Sequence, residues 1–163
     1  MARLRQVWVA AGLRMGLKDR NGQPLTATEL AASETIPKVC IVGSPQGGGH
    51  LATRYFTPQT GHASLAVSGG CCLAAAALIP GTVAHRLAQG LPEVPSALTE
   101  VVVALENPAG LLRATVVARQ ANAEALHIER AAYERSAQLL LRGYVPLYAA
   151  SPALAASLQE LLG

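Results

Sequence analysis

Between His62 and Val83 lie the residues of this chain best suited to chemistry. They are a histidine, a Ser68-Gly69-Gly70 step, the adjacent thiols Cys71 and Cys72, and an alanine-rich run closed by Pro80-Gly81. The run is apolar on nearly every side, which predicts a buried helix. The first amides of a helix lack intrahelical partners and carry partial positive charge. With Ser68-Gly69-Gly70 at or near that end, its amides and hydroxyl are able to hold a carboxylate. Two glycines in an apolar helix cost about 1 kcal/mol each relative to alanine. They therefore point to close backbone approach, which tight helix–strand packing explains as well as an anion does. His62 is suited to cap, to donate to a carboxylate, or to pair with a loop carbonyl. Cys71 and Cys72 stand about 100° apart on a helix and cannot share one role. A thiolate gains from a helix N-terminus, so each is a candidate base, although cysteine is equally at home buried.

The elements that must position these groups follow from local pattern. Residues 2 to 15 read as an amphipathic helix, with Leu4, Val7 or Trp8, Ala11 and Met15 at helical spacing and Gly16 as its C′ residue. Residues 19 to 24 (DRNGQP) form a turn cluster. Residues 37 to 43 and 51 to 57 read as strands, joined by a flexible loop over 44 to 50 (SPQGGGH). Three glycines there are able to admit a ligand, but no Walker or dinucleotide pattern surrounds them, and the loop precedes a strand rather than opening a helix. Thr82 caps a short helix through Ala88. Strands over 98 to 105 and 111 to 118 are joined by Asn-Pro-Ala-Gly hairpin chemistry, and 125 to 133 is a further strand candidate. Residues 135 to 143 fit strand or helix. Ser151-Pro152 starts a last helix carrying Leu154, Leu158, Leu161 and Leu162 on one face. The sum is one α+β domain over 1–163, a mostly antiparallel curved sheet or barrel around one central buried helix.

Composition narrows the partners. The chain is 51% hydrophobic, 4% aromatic and only 14% charged, against about a quarter charged in ordinary domains. So little charge hints at a surface buried against a partner. The net charge is +3, and its 13 basic residues are scattered without interleaved aromatics, so nucleic acid has little support. Three cysteines, two of them adjacent, suit a reducing compartment and no structural zinc site. The longest apolar stretch, Cys71 to Pro80, is too short to span a bilayer. MARLRQVWVA has no long apolar region and does not read as a signal peptide, so the expectation is a cytoplasmic protein without a membrane segment.

The strings His62-Ala63, Ser68-Gly69-Gly70-Cys71-Cys72-Leu73-Ala74 and Ala76-Ala77-Leu78-Ile79-Pro80-Gly81-Thr82-Val83 resemble a signature of the PrpF family. That family is one of isomerases of the methylaconitate isomerase and 4-oxalomesaconate tautomerase type. Its members show a similar histidine, a Thr-Gly-Ala-like step, an alanine-rich helix and an Ile-Pro-Gly-Thr ending. Ser68-Gly69-Gly70 departs mildly from that step. Arg5, Met15-Gly16-Leu17 and Ile36-Pro37-Lys38-Val39 are similar to the family's second half, as is Arg135-Ser136-Ala137 through Gly143. The likeness spans roughly 1 to 148.

The resemblance implies a diaminopimelate-epimerase-like fold, in which two similar domains each wrap strands around a central helix. The substrate lies in the cleft, facing both helix N-termini. It also implies proton and double-bond migration in an unsaturated tricarboxylate such as methylaconitate, with no metal or organic cofactor. The Gly-Thr-Ser-Lys-like motif and the Cys and Lys of proton transfer belong to the family's first half, which has no match in this sequence. The residues carried over are His62, Ser68, Gly69 and Gly70, as binders of substrate carboxylate; no base is carried over. The expected partners are a small carboxylate and either a missing N-terminal half-domain or a second copy in a homodimer. In the homodimer only Cys71 or Cys72 could serve as base. The alternative is a non-catalytic remnant that binds small carboxylates or a partner.

Overall fold

The computed structural model describes residues 1–122, 125–135, 137–143 and 148–162. Ser136, residues 144–147 of the family-like span and the side chain of Leu162 lie outside the described residues. Helix α1 (Ala2–Arg14) buries Trp8 beneath a second helix, α2 (Ala27–Ala32), where the indole N–H donates to the Leu30 carbonyl at 3.1 Å. Gly12 is what lets the two meet: a Cβ there would stand 2.8 Å from Leu30 Cδ2. The pattern of apolar residues misses α2, because six residues are too few to show a helical period. Its start is nevertheless a capping box, in which Thr26 accepts from the Glu29 amide and Glu29 accepts from the Thr26 amide.

A six-stranded sheet follows, in the order β1 (Val39–Gly43), β2 (Leu51–Thr57), β4 (Thr99–Asn107), β5 (Gly110–Gln120), β6 (Leu126–Tyr133), with the two-residue β3 (Thr60–Gly61) paired to β2. All pairs are antiparallel except β2 with β4. Among the described residues β1 and β6 end the sheet without pairing to each other, so it is an open sheet rather than a barrel. The β4–β5 turn forms as its residues dictate. Asn107 Oδ1 accepts from the Ala109 amide at 2.9 Å, and Gly110 takes φ +116°.

Helix α3 (Val67–Leu78) lies across this sheet and forms the core with it. Leu73, Ala74, Ala77 and Leu78 meet Leu51, Val103, Leu105, Ala114, Val116 and Ala118. The alanine-rich run predicts a layer on every side, but the structure covers only part of it. Gly70, Leu73, Ala74, Ala77 and Leu78 are buried, while Val67, Ser68 and Cys72 are exposed. Pro80 and Gly81 (φ +83°) stop the helix. Thr82 then starts α4 (Val83–Leu87), accepting from the His85 amide and donating to the Ala76 carbonyl.

The loop over 44–50 reads as flexible in sequence but is tied down in the structure. The Glu106 carboxylate accepts from the amides of Gln46, Gly47 and Gly49 at 2.6–3.0 Å. His50 Nδ1 accepts from the Ala104 amide at 2.9 Å. A Cβ on Gly49 would stand 2.7 Å from Glu106 Cγ, so close approach to that side chain explains this glycine. Residues 137–143 form no helix or strand, and Leu139, Leu140 and Leu141 are exposed. The last helix, α5 (Pro152–Leu162), forms as expected, with Leu154 and Leu161 exposed. No helix among the described residues is long and apolar enough to cross a membrane.

Candidate functional site

The N-terminal turn of α3 places Ser68 and Gly69 second and third in the helix, after the N-cap Ala66. Alanine has no side chain with which to cap, and no other side chain among the described residues supplies a cap. The amides of Val67, Ser68 and Gly69 consequently donate to none of the described residues. Gly70 differs from the expectation for the whole step. Its amide donates to the Ala66 carbonyl at 2.8 Å, the first bond of the helix, and is not free for a ligand.

What the two glycines admit is aromatic. A Cβ on Gly69 would come to 2.5 Å from the Tyr55 hydroxyl. A Cβ on Gly70 would overlap Cε2 of Tyr133 and lie 2.9 Å from its Cδ2. Close helix–strand packing therefore accounts for both glycines, while at Gly69 it leaves the amide open. Tyr55 comes from β2 and Tyr133 from the end of β6, where it pairs with Ala114. Neither tyrosine stands out in the sequence. The alternation of Leu51, Thr53 and Tyr55 as inward residues on β2 is the one signal that points Tyr55 toward the helix.

His62 joins the same cluster. Its ring meets Tyr55 edge-on, with centroids 5.9 Å apart and planes at 81°. Its amide donates to the Tyr55 carbonyl at 2.8 Å, and its Nδ1 accepts from the Ser64 amide at 3.0 Å. Tyr55 thus lies against both His62 and Gly69, and Ser68 adjoins Gly69 as an exposed residue of the same turn. Cys71 is half-buried and Cys72 exposed, and both are free thiols. They diverge as the helical geometry requires. Cys72 lies within electrostatic reach of Tyr55 and Cys40, and Cys71 of Tyr133.

Burial pushes the Tyr55 phenol above its ordinary range, with Cys40 and Cys72 adding to the shift. Burial likewise raises Tyr133, against a lowering effect of Arg135. Both phenols are therefore neutral at neutral pH. Cys40 is also raised by burial, with a hydrogen bond involving Thr53 opposing. The site combines amides without a partner among the described residues, a phenol and an imidazole at the positive end of a helix, groups of the kind that can donate to an anion.

Two other features do not join it. The Gly47–Gly49 loop lies at the opposite end of β2, with the amides of Gly47 and Gly49 engaged by Glu106. A cavity of about 550 Å³ lies at the other end of α3, lined in part by Leu78, His85, Glu93 and Gln120. The helix end there carries negative partial charge, which disfavours a carboxylate. No group of three or more His, Cys, Asp or Glu among the described residues is arranged to hold a metal ion.

Comparison with known proteins agrees with this architecture. Residues 1–148 match the family described as PrpF protein. A 4-oxalomesaconate tautomerase of Pseudomonas putida is 36% identical over 86 residues, covering 53% of this chain and 21% of that protein. A (4E)-oxalomesaconate Δ-isomerase of a Novosphingobium species is 28% identical over 144 residues, 88% of this chain and 35% of that protein. The crystal structure of a methylitaconate-Δ-isomerase superposes with a TM-score of 0.59 at 18% identity, covering 82% of this chain and 36% of the other. This likeness is one of fold. The chain spans about a third or less of the length of these relatives. With a family match over nearly its full length and an α+β sheet bearing helix α3, the chain belongs to the PrpF family.

Proposed function

We propose that this chain is the carboxylate-holding domain of a PrpF-type isomerase that moves a proton and a double bond in an unsaturated tricarboxylate such as methylaconitate. The observation that carries the reading is the uncapped start of α3, where the amides of Val67, Ser68 and Gly69 have no partner among the described residues. Replacing a good N-cap residue by alanine costs about 1 kcal/mol. A bound carboxylate would offset that cost with the hydrogen bonds a cap would make and with the favourable end of the helix dipole. Proton abstraction next to a carboxylate develops negative charge on oxygen, and a helix N-terminus stabilises it without a cofactor.

The base comes from a second domain in this reading. The exposed face of α3 at Val67, Ser68 and Cys72 is where that domain would close the cleft. A homodimer is the variant in which the chain supplies both halves, with Cys71 or Cys72 as base. Three free cysteines suit a reducing, cytoplasmic setting.

Titration of the chain with trans-aconitate in heavy water tests the proposal, following heat and the vinyl proton signal together. Heat without exchange is the expected result and assigns the base to the companion domain. Exchange that survives both Cys71→Ala and Cys72→Ala would eliminate the homodimer variant. Absence of heat would sink the carboxylate site in this chain.

A further inference from the structure

We infer that the Tyr55 hydroxyl is a further donor to the substrate carboxylate held at the start of α3. The inference rests on the carboxylate-site reading and adds to it a side chain from another element. Tyr55 is only 4% exposed, and its ring is fixed between the core, His62 and the backbone of Gly69. Its hydroxyl is aimed at the first turn of α3, where the position of a Gly69 Cβ lies 2.5 Å away. That hydroxyl makes no hydrogen bond with any described residue. The ring is held in the core while the hydroxyl still reaches solvent, so the hydroxyl has no protein acceptor among the described residues at a place a ligand can enter. An oxygen of a carboxylate seated on the Ser68 and Gly69 amides would supply the missing acceptor.

Tyr133 supplies the contrast. Its hydroxyl is also unpartnered, but it is sealed from solvent, whereas that of Tyr55 is not. A ligand entering from solvent reaches the first and not the second. The absence of a Cβ at Gly69 is then what allows amide and phenol to converge on one anion. In the companion reaction this donor would remain neutral and fixed while charge moves onto the substrate, the behaviour expected of a preorganised oxyanion contact.

The test compares the full chain with Tyr55→Phe and Tyr133→Phe, using trans-aconitate as probe. Each variant removes one oxygen and keeps the ring. A phenol donating to a charged acceptor is worth about a tenfold change in affinity. Tyr55→Phe should therefore bind about tenfold more weakly, and Tyr133→Phe should bind like the parent. A tyrosine difference absorbance should accompany binding in the parent and in Tyr133→Phe and vanish in Tyr55→Phe, which a purely structural role would not produce. Parent-like affinity in Tyr55→Phe, or a parent that binds with no tyrosine signal, would overturn the inference while leaving the amide site intact. A parent that does not bind would remove the amide site and this donor with it.

Discussion

Replacing Gly70 by alanine sets two magnitudes against each other. Intrinsic helix propensity favours alanine by about 1 kcal/mol in a helix interior. Against that, the added methyl would overlap Cε2 of Tyr133 and sit 2.9 and 3.0 Å from Cδ2 and Cζ. These are ring atoms on a residue paired with Ala114 at the end of β6, so relief requires the whole ring to shift rather than a flexible side-chain tip. Overpacking of this kind costs about 1–3 kcal/mol. The overlap should win, and Gly70→Ala should lower stability by about 1 kcal/mol net, or about 2–4 °C in Tm for a domain of this size. Urea unfolding with an unchanged m value measures it. The decisive control is the same change made in Tyr133→Ala. Without the ring the methyl has room, and Gly70→Ala should become stabilising by about 1 kcal/mol through propensity alone. If Gly70→Ala already stabilises the parent, or if its sign is the same in both backgrounds, the account of this glycine as space for Tyr133 is wrong.

Other consequences follow from single groups. Amide bonds from Gln46, Gly49 and Gly47 hold the Glu106 carboxyl below its ordinary value of 4.5. Because its folded value is the lower one, its contribution to order in the 44–50 loop is fully present above pH 4.5 and is lost as the pH falls through the folded value. Amide exchange at Gln46, Gly47 and Gly49 should show protection disappearing in that acid range, whereas in Glu106→Gln the pH dependence should be absent; pH-independent protection in the parent would contradict the assignment. Tyr133→Phe removes a buried hydroxyl without a partner among the described residues and should raise stability by about 1 kcal/mol. A loss of stability would mean that the hydroxyl is satisfied in solution.

Much of the fold was legible because its signals are local. Pro80-Gly81 and Thr82 end α3 and begin α4 where their backbone chemistry predicts, and the Asn107–Gly110 turn joins β4 and β5 as expected. The candidate site was half legible. His62 and Gly69 both meet Tyr55, and the helix begins at Val67, one residue before the Ser68-Gly69-Gly70 step. Gly70 shows the limit of that reasoning, because one residue along a helix separates a free amide from a bonded one. Tyr55 and Tyr133 were not legible as neighbours of Gly69 and Gly70. They arrive from strands, and the glycine that receives a ring carries no mark of which ring it receives. Glu106 acts on a loop 57–60 residues earlier, so no window of sequence contains both partners. The open face of α3 was missed for another reason: an alanine-rich helix looks the same whether this chain or a partner covers it.

The most direct test of the central claim is to follow the backbone amide resonances of the chain while trans-aconitate is added. The account predicts saturable shifts centred on Val67, Ser68 and Gly69, with Gly70 and the Gly47–Gly49 loop moving little. Shifts centred on the loop, or on the cavity at the far end of α3, would contradict it and place the carboxylate elsewhere in the fold.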